Sequence, residues 1–167
     1  DGDQCVGWCQ FGVPEELPRI KNRKAYEEGL GDLPDWRITC FFVGKGHRGQ
    51  GVAAAALAGA LEEIERLGGG TVESYPDEVD GRGSASFLHN GTVAMFERHG
   101  FERTRRIGKS RWVVRKVLGR AAGDARRRDA SLRGSTASIP AARIRRIAAT
   151  SGLRRLLPER HVAPTLG

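Results

Sequence analysis

The sequence of 167 residues contains few cysteines, no long apolar segment and no recognisable secretory leader. Its three cysteines are an odd and sparse set, which argues against a disulfide framework. No further ligand-type residues cluster near them, so we expect no metal site. The apolar runs are shorter than a membrane-spanning helix requires, and nothing at the start is typical of a signal peptide. We therefore expect a cytoplasmic protein with no membrane partner.

Basic residues are in excess, with a net charge of +8, but the excess lies at one end of the chain. Eleven arginines and only three acidic residues follow Leu118, and the preceding part is balanced. The segment 119–167 also lacks Phe, Tyr, Trp, Cys and Lys, so it cannot form a core of its own and is predicted to be a disordered basic tail. Within it, 141–149 could form a short amphipathic helix. Nucleic acid could bind this tail, although a solvated extension is the simpler interpretation.

Residues 1–118 are predicted to form one α/β domain with a mixed, partly antiparallel sheet. The apolar segment 36–43 has two apolar faces, which is typical of a central strand. The connector 12–35 is unusually long for a compact domain, and it is either a functional cover or a surface excursion. Strands are expected at 4–11, 36–43, 71–76, 101–108 and 111–118, with helices within 21–30, after Gly51 and within 90–99.

A glycine-rich turn joins the central strand to a long helix and is the strongest candidate site. Gly49 and Gly51 would let the backbone approach a ligand without a Cβ atom in the way. Amide groups at a helix amino terminus favour a phosphate, and Lys45 and Arg48 add positive charge. The Gly-Lys-Ser/Thr ending of a Walker loop is missing, and the glycine spacing does not match the dinucleotide fingerprint. Taken alone, the pattern is also compatible with a tight turn that has no ligand.

Two motifs together resemble the GNAT superfamily of N-acetyltransferases. The pattern Arg48-x-x-Gly51-x-Ala53 after a strand is similar to that family's pyrophosphate motif, [Q/R]-x-x-G-x-[G/A]. The run 95–101, Met-Phe-Glu-Arg-His-Gly-Phe, resembles its late helix-to-strand signature, with Phe96 where a tyrosine is usual. The resemblance covers about residues 1–118, and the Arg-rich tail lies outside it.

The resemblance implies a sheet of the GNAT type, in which two middle strands splay apart to admit acetyl-CoA as the acyl donor. The pantetheine arm would lie along Phe42 and Val43, and Phe96 would lie beside the thioester. The acetyl group would pass to an amine by direct attack on the thioester, without a metal. The pyrophosphate would rest on the amides of Arg48, Gly49, Gln50, Gly51, Val52 and Ala53.

The sequence departs from that family in two respects. The family has a strand, one or two helices and another strand before the position where this sequence begins. The chain is therefore expected to be the carboxy-terminal portion of the domain, with strand 4–11 left as a bare edge. In addition, Phe96 has no proton to give to the leaving thiolate.

The catalytic residues are not assigned by the sequence. Glu73 and Tyr75 are weak candidates on strand 71–76, where a carboxylate could accept a proton from the amine; alternatively, Glu73 is a surface residue of that strand. The expected function is N-acetyl transfer to an unidentified amine. The alternatives are a fragment that binds CoA without turnover, and a nucleic-acid-associated protein that acts through the tail. The oligomeric state cannot be inferred.

Overall fold

A computed structural model of the chain describes residues 4–79, 89–119, 145–150 and 154–156. Three helices lie within them: α1 (Arg23–Glu28), α2 (Val52–Arg66) and α3 (Val93–Arg98). The strands are β1 (Cys5–Gly12), β2 (Trp36–Val43), β3 (Gly70–Ser74), β4 (Glu102–Arg106), β5 (Trp112–Leu118), β6 (Arg145–Thr150) and β7 (Arg154–Leu156).

Within the described residues, seven strands form one mixed sheet in the order β4-β5-β3-β2-β1-β6-β7. The central pair β2–β3 is parallel, and the other neighbouring pairs are antiparallel. A parallel pair needs a crossover connection, and α2 provides it. The predicted α/β class, the mixed sheet and the central position of β2 are confirmed.

Helix α2 covers one face of the sheet. Its apolar residues recur at helical spacing, which puts Leu57, Leu61 and Ile64 on one side, and all three are buried. They pack in one cluster with Phe11 of β1 and Ile38 of β2. Among the described residues, no helix is both long and apolar enough to cross a membrane.

The connector 12–35 covers part of the opposite face, so its interpretation as a mere surface excursion is wrong. Ile20 and Tyr26 are buried there against Tyr75 and Val113 of the sheet region. Arg105 of β4 holds α1 in place, because its guanidinium donates to the carbonyl oxygens of Ala25, at 3.0 Å, and Tyr26, at 2.5 Å.

The structure corrects the prediction for part of the tail. Arg145–Thr150 is not helical but forms β6, antiparallel to β1. Ile147 and Ala149 join the core beneath α2. The edge of β1 is therefore paired, and the expectation of a bare edge is wrong. The physical reason is that a short apolar segment without its own core can still complete a core that another part of the chain provides. The rest of the tail lies outside the described residues.

Candidate functional site

The glycine-rich turn is held in its shape by backbone conformation. After β2 ends at Val43, a short 3-10 turn (Lys45–His47) leads to two left-handed residues, Gly49 at φ +74° and Gly51 at φ +79°. Residues with side chains rarely adopt such angles, so both positions favour glycine. Because Gly51 immediately precedes α2 and has no side chain, it gives the helix no N-cap acceptor. The first amides of α2 therefore form a donor group that favours an anion.

This turn is open and basic. Lys45, Arg48 and Gln50 are exposed. Arg48 Nε donates to the carbonyl of Val43 at 3.4 Å, a long bond that leaves most of the guanidinium's donors available. A Cβ atom added at Gly51 would meet no atom of the described residues within 4 Å. Glycine is thus required here by the dihedral angle rather than by crowding, and a ligand can reach the turn from solvent.

Strands β2 and β3 separate beside this turn. In the described chain, their pairing is confined to Trp36–Ile38 against Val72–Ser74. Further along β2, the amide of Phe41 donates instead to the carbonyl of His89, at 2.6 Å. Thr92 forms a bridge with Asp77, which follows β3. Residues 89–92 therefore lie between the end of β2 and the segment that follows β3.

The predicted contacts of the pantetheine arm lie in different surroundings. Phe42 is 52% exposed and stacks on Trp8 of β1, with the ring centroids 6.0 Å apart. Val43 is partly exposed. Phe96 is fully buried, with its ring edge-to-face against Phe41 and Phe101. In this structure Phe96 is thus a core residue, and its role beside a thioester stays a prediction.

The two catalytic candidates belong to a buried polar cluster. Glu73 is fully buried, so its interpretation as a surface residue is wrong. Its Oε1 accepts hydrogen bonds from the hydroxyl groups of Tyr26 and Tyr75, each at 2.7 Å. Its Oε2 accepts from Arg115 Nε at 2.5 Å. Arg37 Nη2 donates to the Tyr26 hydroxyl at 3.2 Å.

Burial and charge keep both phenols of this cluster protonated. Burial, followed by the negative charge of Glu73, raises the pKa of Tyr75 far above its ordinary value. Burial and the hydrogen bond to Glu73 also raise the pKa of Tyr26. The carboxylate is enclosed by three donors, and no amine could reach it from solvent without a rearrangement. The cluster is therefore suited to holding α1 on the sheet rather than to taking a proton from a substrate.

Sequence reasoning missed Tyr26 and Arg115 as partners of Glu73, and Arg37 as a partner of Tyr26. Tyr26 and Arg115 lie 47 and 42 residues from Glu73 in the chain. The local signal was an arginine, Arg37, within a largely apolar strand, β2. Such a residue needs buried partners, but the sequence does not say which.

No protein-family model matches the chain, and neither the curated proteins nor the solved structures yielded a significantly similar protein. The functional interpretation therefore rests on the two sequence motifs and on the geometry around the turn.

Proposed function

We propose that the chain is an acetyl-CoA-dependent N-acetyltransferase of the GNAT type. One observation carries the proposal: an open, basic turn at the amino terminus of α2 directly follows a central strand that separates from its parallel neighbour. A pyrophosphate needs clustered amides and positive charge. An extended arm needs a strand with accessible backbone groups. The open, basic turn supports the first requirement, and the separation of β2 from β3 beyond Ile38 supports the second.

The pyrophosphate of CoA would rest on the amides of residues 48–53, with Arg48 against one phosphate. The pantetheine arm would follow β2 past Phe42 and Val43. The nitrogen of a neutral amine would attack the thioester carbonyl, the C–S bond would break, and the thiolate would leave. Because Phe96 has no proton to give, the thiolate would take its proton from water. Because Glu73 is enclosed, the amine would lose its proton to water rather than to this carboxylate.

A second candidate is CoA binding without turnover. The observation that favours it is the hydrogen bond from the Phe41 amide to the His89 carbonyl, at 2.6 Å. This contact occupies a backbone group of β2 where the strands separate. Together with the enclosed Glu73, it gives a site that can bind the phosphates and still lack a productive place for the thioester.

The pyrophosphate site is tested by reversing one charge. Arg48→Glu puts a carboxylate beside the phosphates, so we expect CoA to bind roughly 10- to 100-fold more weakly, in line with the loss of a charge-assisted hydrogen bond. Isothermal titration of the full chain with CoA measures this. Arg98→Glu is the matched control, since Arg98 is also exposed but lies at the end of α3. Equal affinities of the two variants would exclude the assigned phosphate site.

Turnover is tested separately by the release of free thiol from acetyl-CoA in the presence of a panel of amines. Thiol release that depends on an amine and is lost in Arg48→Glu supports the transferase. CoA binding without thiol release from any amine of the panel would favour the second candidate.

A further inference from the structure

The face of the sheet opposite α2 carries a row of aromatic and cationic side chains, here called the aromatic face: Trp8, Phe42 and Arg146. Phe42 and Arg146 are exposed, and Trp8 is partly exposed. The rings of Trp8 and Phe42 are stacked with an interplanar angle of 21°. The guanidinium carbon of Arg146 lies 4.7 Å from the centre of the Trp8 ring. The three side chains come from β1, β2 and β6, which are neighbours in the sheet.

Strand alternation explains why these side chains point away from the core. Cys9 and Ile147 turn towards α2 and are buried, so their neighbours Trp8 and Arg146 lie on the other face. Trp8 is opposite Phe42 in the β1–β2 register, which brings the two rings together. The aromatic face therefore follows from the register and does not depend on a flexible loop.

The connector covers this side of the sheet at only one end. Arg37, near the start of β2, is 5% exposed beneath the connector, whereas Phe42, near the end of the same strand, is 52% exposed. An aromatic ring that remains half in water next to a second ring offers a ready stacking surface.

The positive charge of Arg146 fits an anionic partner of the aromatic face. Arg146 of β6 lies on this face, and neither β6 nor β7 contains an acidic residue. Arg145 lies on the other face, where its guanidinium pairs with Glu63 of α2 at 3.3 Å. Arg146 is exposed, and its guanidinium already lies over the Trp8 ring. Two stacked rings with a guanidinium beside them suit unpaired bases and a phosphate, whereas a duplex keeps its bases stacked inside.

We propose that the aromatic face binds single-stranded nucleic acid. Bases stack on Phe42 and Trp8, and Arg146 contacts a phosphate while it continues the stack. Phe42 is also assigned to the proposed acyl-CoA site, whereas Trp8 and Arg146 lie outside it, so the inference does not depend on CoA binding.

The stacking contact is tested by fluorescence anisotropy of a labelled 12-nucleotide oligo(U) or oligo(dT) with the full chain. Removal of one stacking ring costs about 1–3 kcal/mol per base, so Phe42→Ser should weaken binding roughly 5- to 100-fold. Val117→Ser is the matched control, because Val117 is also an exposed apolar strand residue, at 77%, but lies on β5. It should leave the affinity unchanged.

The charge contact is tested with Arg146→Gln. This variant should lower the affinity and reduce the slope of log affinity against log salt by about 1. Arg146→Lys should keep the slope, because the charge stays, but should bind more weakly than the unchanged protein, because the planar stack is lost. In Arg146→Gln the affinity for CoA should stay as it was, which separates this surface from the proposed acyl-CoA site.

Three results would overturn the proposal. The first is equal binding by Phe42→Ser and Val117→Ser while circular dichroism shows both folded. The second is a duplex of the same length binding as tightly as the single strand. The third is binding of anionic phospholipid vesicles that depends on Phe42 while the oligonucleotides fail to bind, since the face would then serve a lipid surface.

Discussion

Replacing Glu73 by glutamine removes the charge at the centre of the buried cluster and keeps the shape of the side chain. The amide oxygen can still accept from the two tyrosine hydroxyl groups, but the ion pair with Arg115 is lost. The removal of one partner of a buried pair costs about 3–5 kcal/mol. The Arg115 side chain is 28% exposed and therefore partly solvated, which lowers our expectation to about 3 kcal/mol.

Urea unfolding of the full chain, followed by circular dichroism, measures this cost. For a domain of this size, a loss of about 3 kcal/mol corresponds to a fall in Tm of roughly 10 °C. Glu27→Gln is the matched control, since Glu27 accepts from Arg23 Nε at 2.6 Å on the exposed side of α1. Removal of that i,i+4 pair should cost less than about 0.5 kcal/mol.

If Glu73→Gln destabilised the protein no more than Glu27→Gln does, the buried charge of Glu73 would contribute no more to stability than the exposed charge of Glu27. A double-mutant cycle with Arg115→Gln adds a second measure, because the coupling energy of contacting charged groups should be roughly 1–3 kcal/mol. A coupling energy near zero would mean that the two side chains do not act together in the folded protein.

Two further predictions concern an acidic surface group and a glycine. Hydrogen bonds, first of all from Arg103, lower the pKa of Glu78 from its ordinary value of about 4.5 to about 2, so its stabilising contribution is present above pH 4.5 and is lost as the pH falls towards 2. Acid titration of Tm should show this loss in the unchanged protein and a weaker one in Glu78→Gln; parallel profiles would contradict the assignment. Gly91 has φ +76°, and a Cβ there would lie 2.6 Å from Met95 Cε, so Gly91→Ala should cost roughly 1–3 kcal/mol in urea unfolding. Gly31→Ala, where a Cβ meets no described atom within 4 Å, should be nearly neutral, and equal costs for the two glycines would contradict this explanation.

Strand β2, the glycine-rich turn and helix α2 could be predicted from the sequence because the patterns that indicate them are local. Alternating apolar residues indicate β2, the two glycines indicate the turn, and the spacing of Leu57, Leu61 and Ile64 indicates the buried side of α2. Each signal lies within one or two turns of helix or within one strand, so no knowledge of distant partners is needed.

The surroundings of Glu73 could not be predicted in the same way. Its position on a strand was evident, but its exposure depends on whether another part of the chain covers that strand. The cover comes from α1, which contributes Tyr26, and from β5, which contributes Arg115. The same limit applies to Phe41, whose amide partner, His89, belongs to a distant segment. Contacts between distant residues leave no periodic pattern in a single sequence.

Strand β6 changes how the arginines after Leu118 can be studied. Ile147 and Ala149 are each only 5% exposed, and they lie in the same cluster as Leu57. Deletion of the residues after 118 would therefore expose the edge of β1 and remove part of the core. Such a deletion would lower stability and any binding at the same time, so a loss of nucleic-acid binding in the shortened chain would not locate the binding surface.

A substitution at Arg146 avoids this problem, because the Arg146 side chain lies on the exposed face while its neighbour Ile147 packs in the core. Substitution at Arg146 changes the charge of the aromatic face and leaves the buried side chains of β6 in place, which is why single substitutions rather than truncation separate binding from folding in this protein.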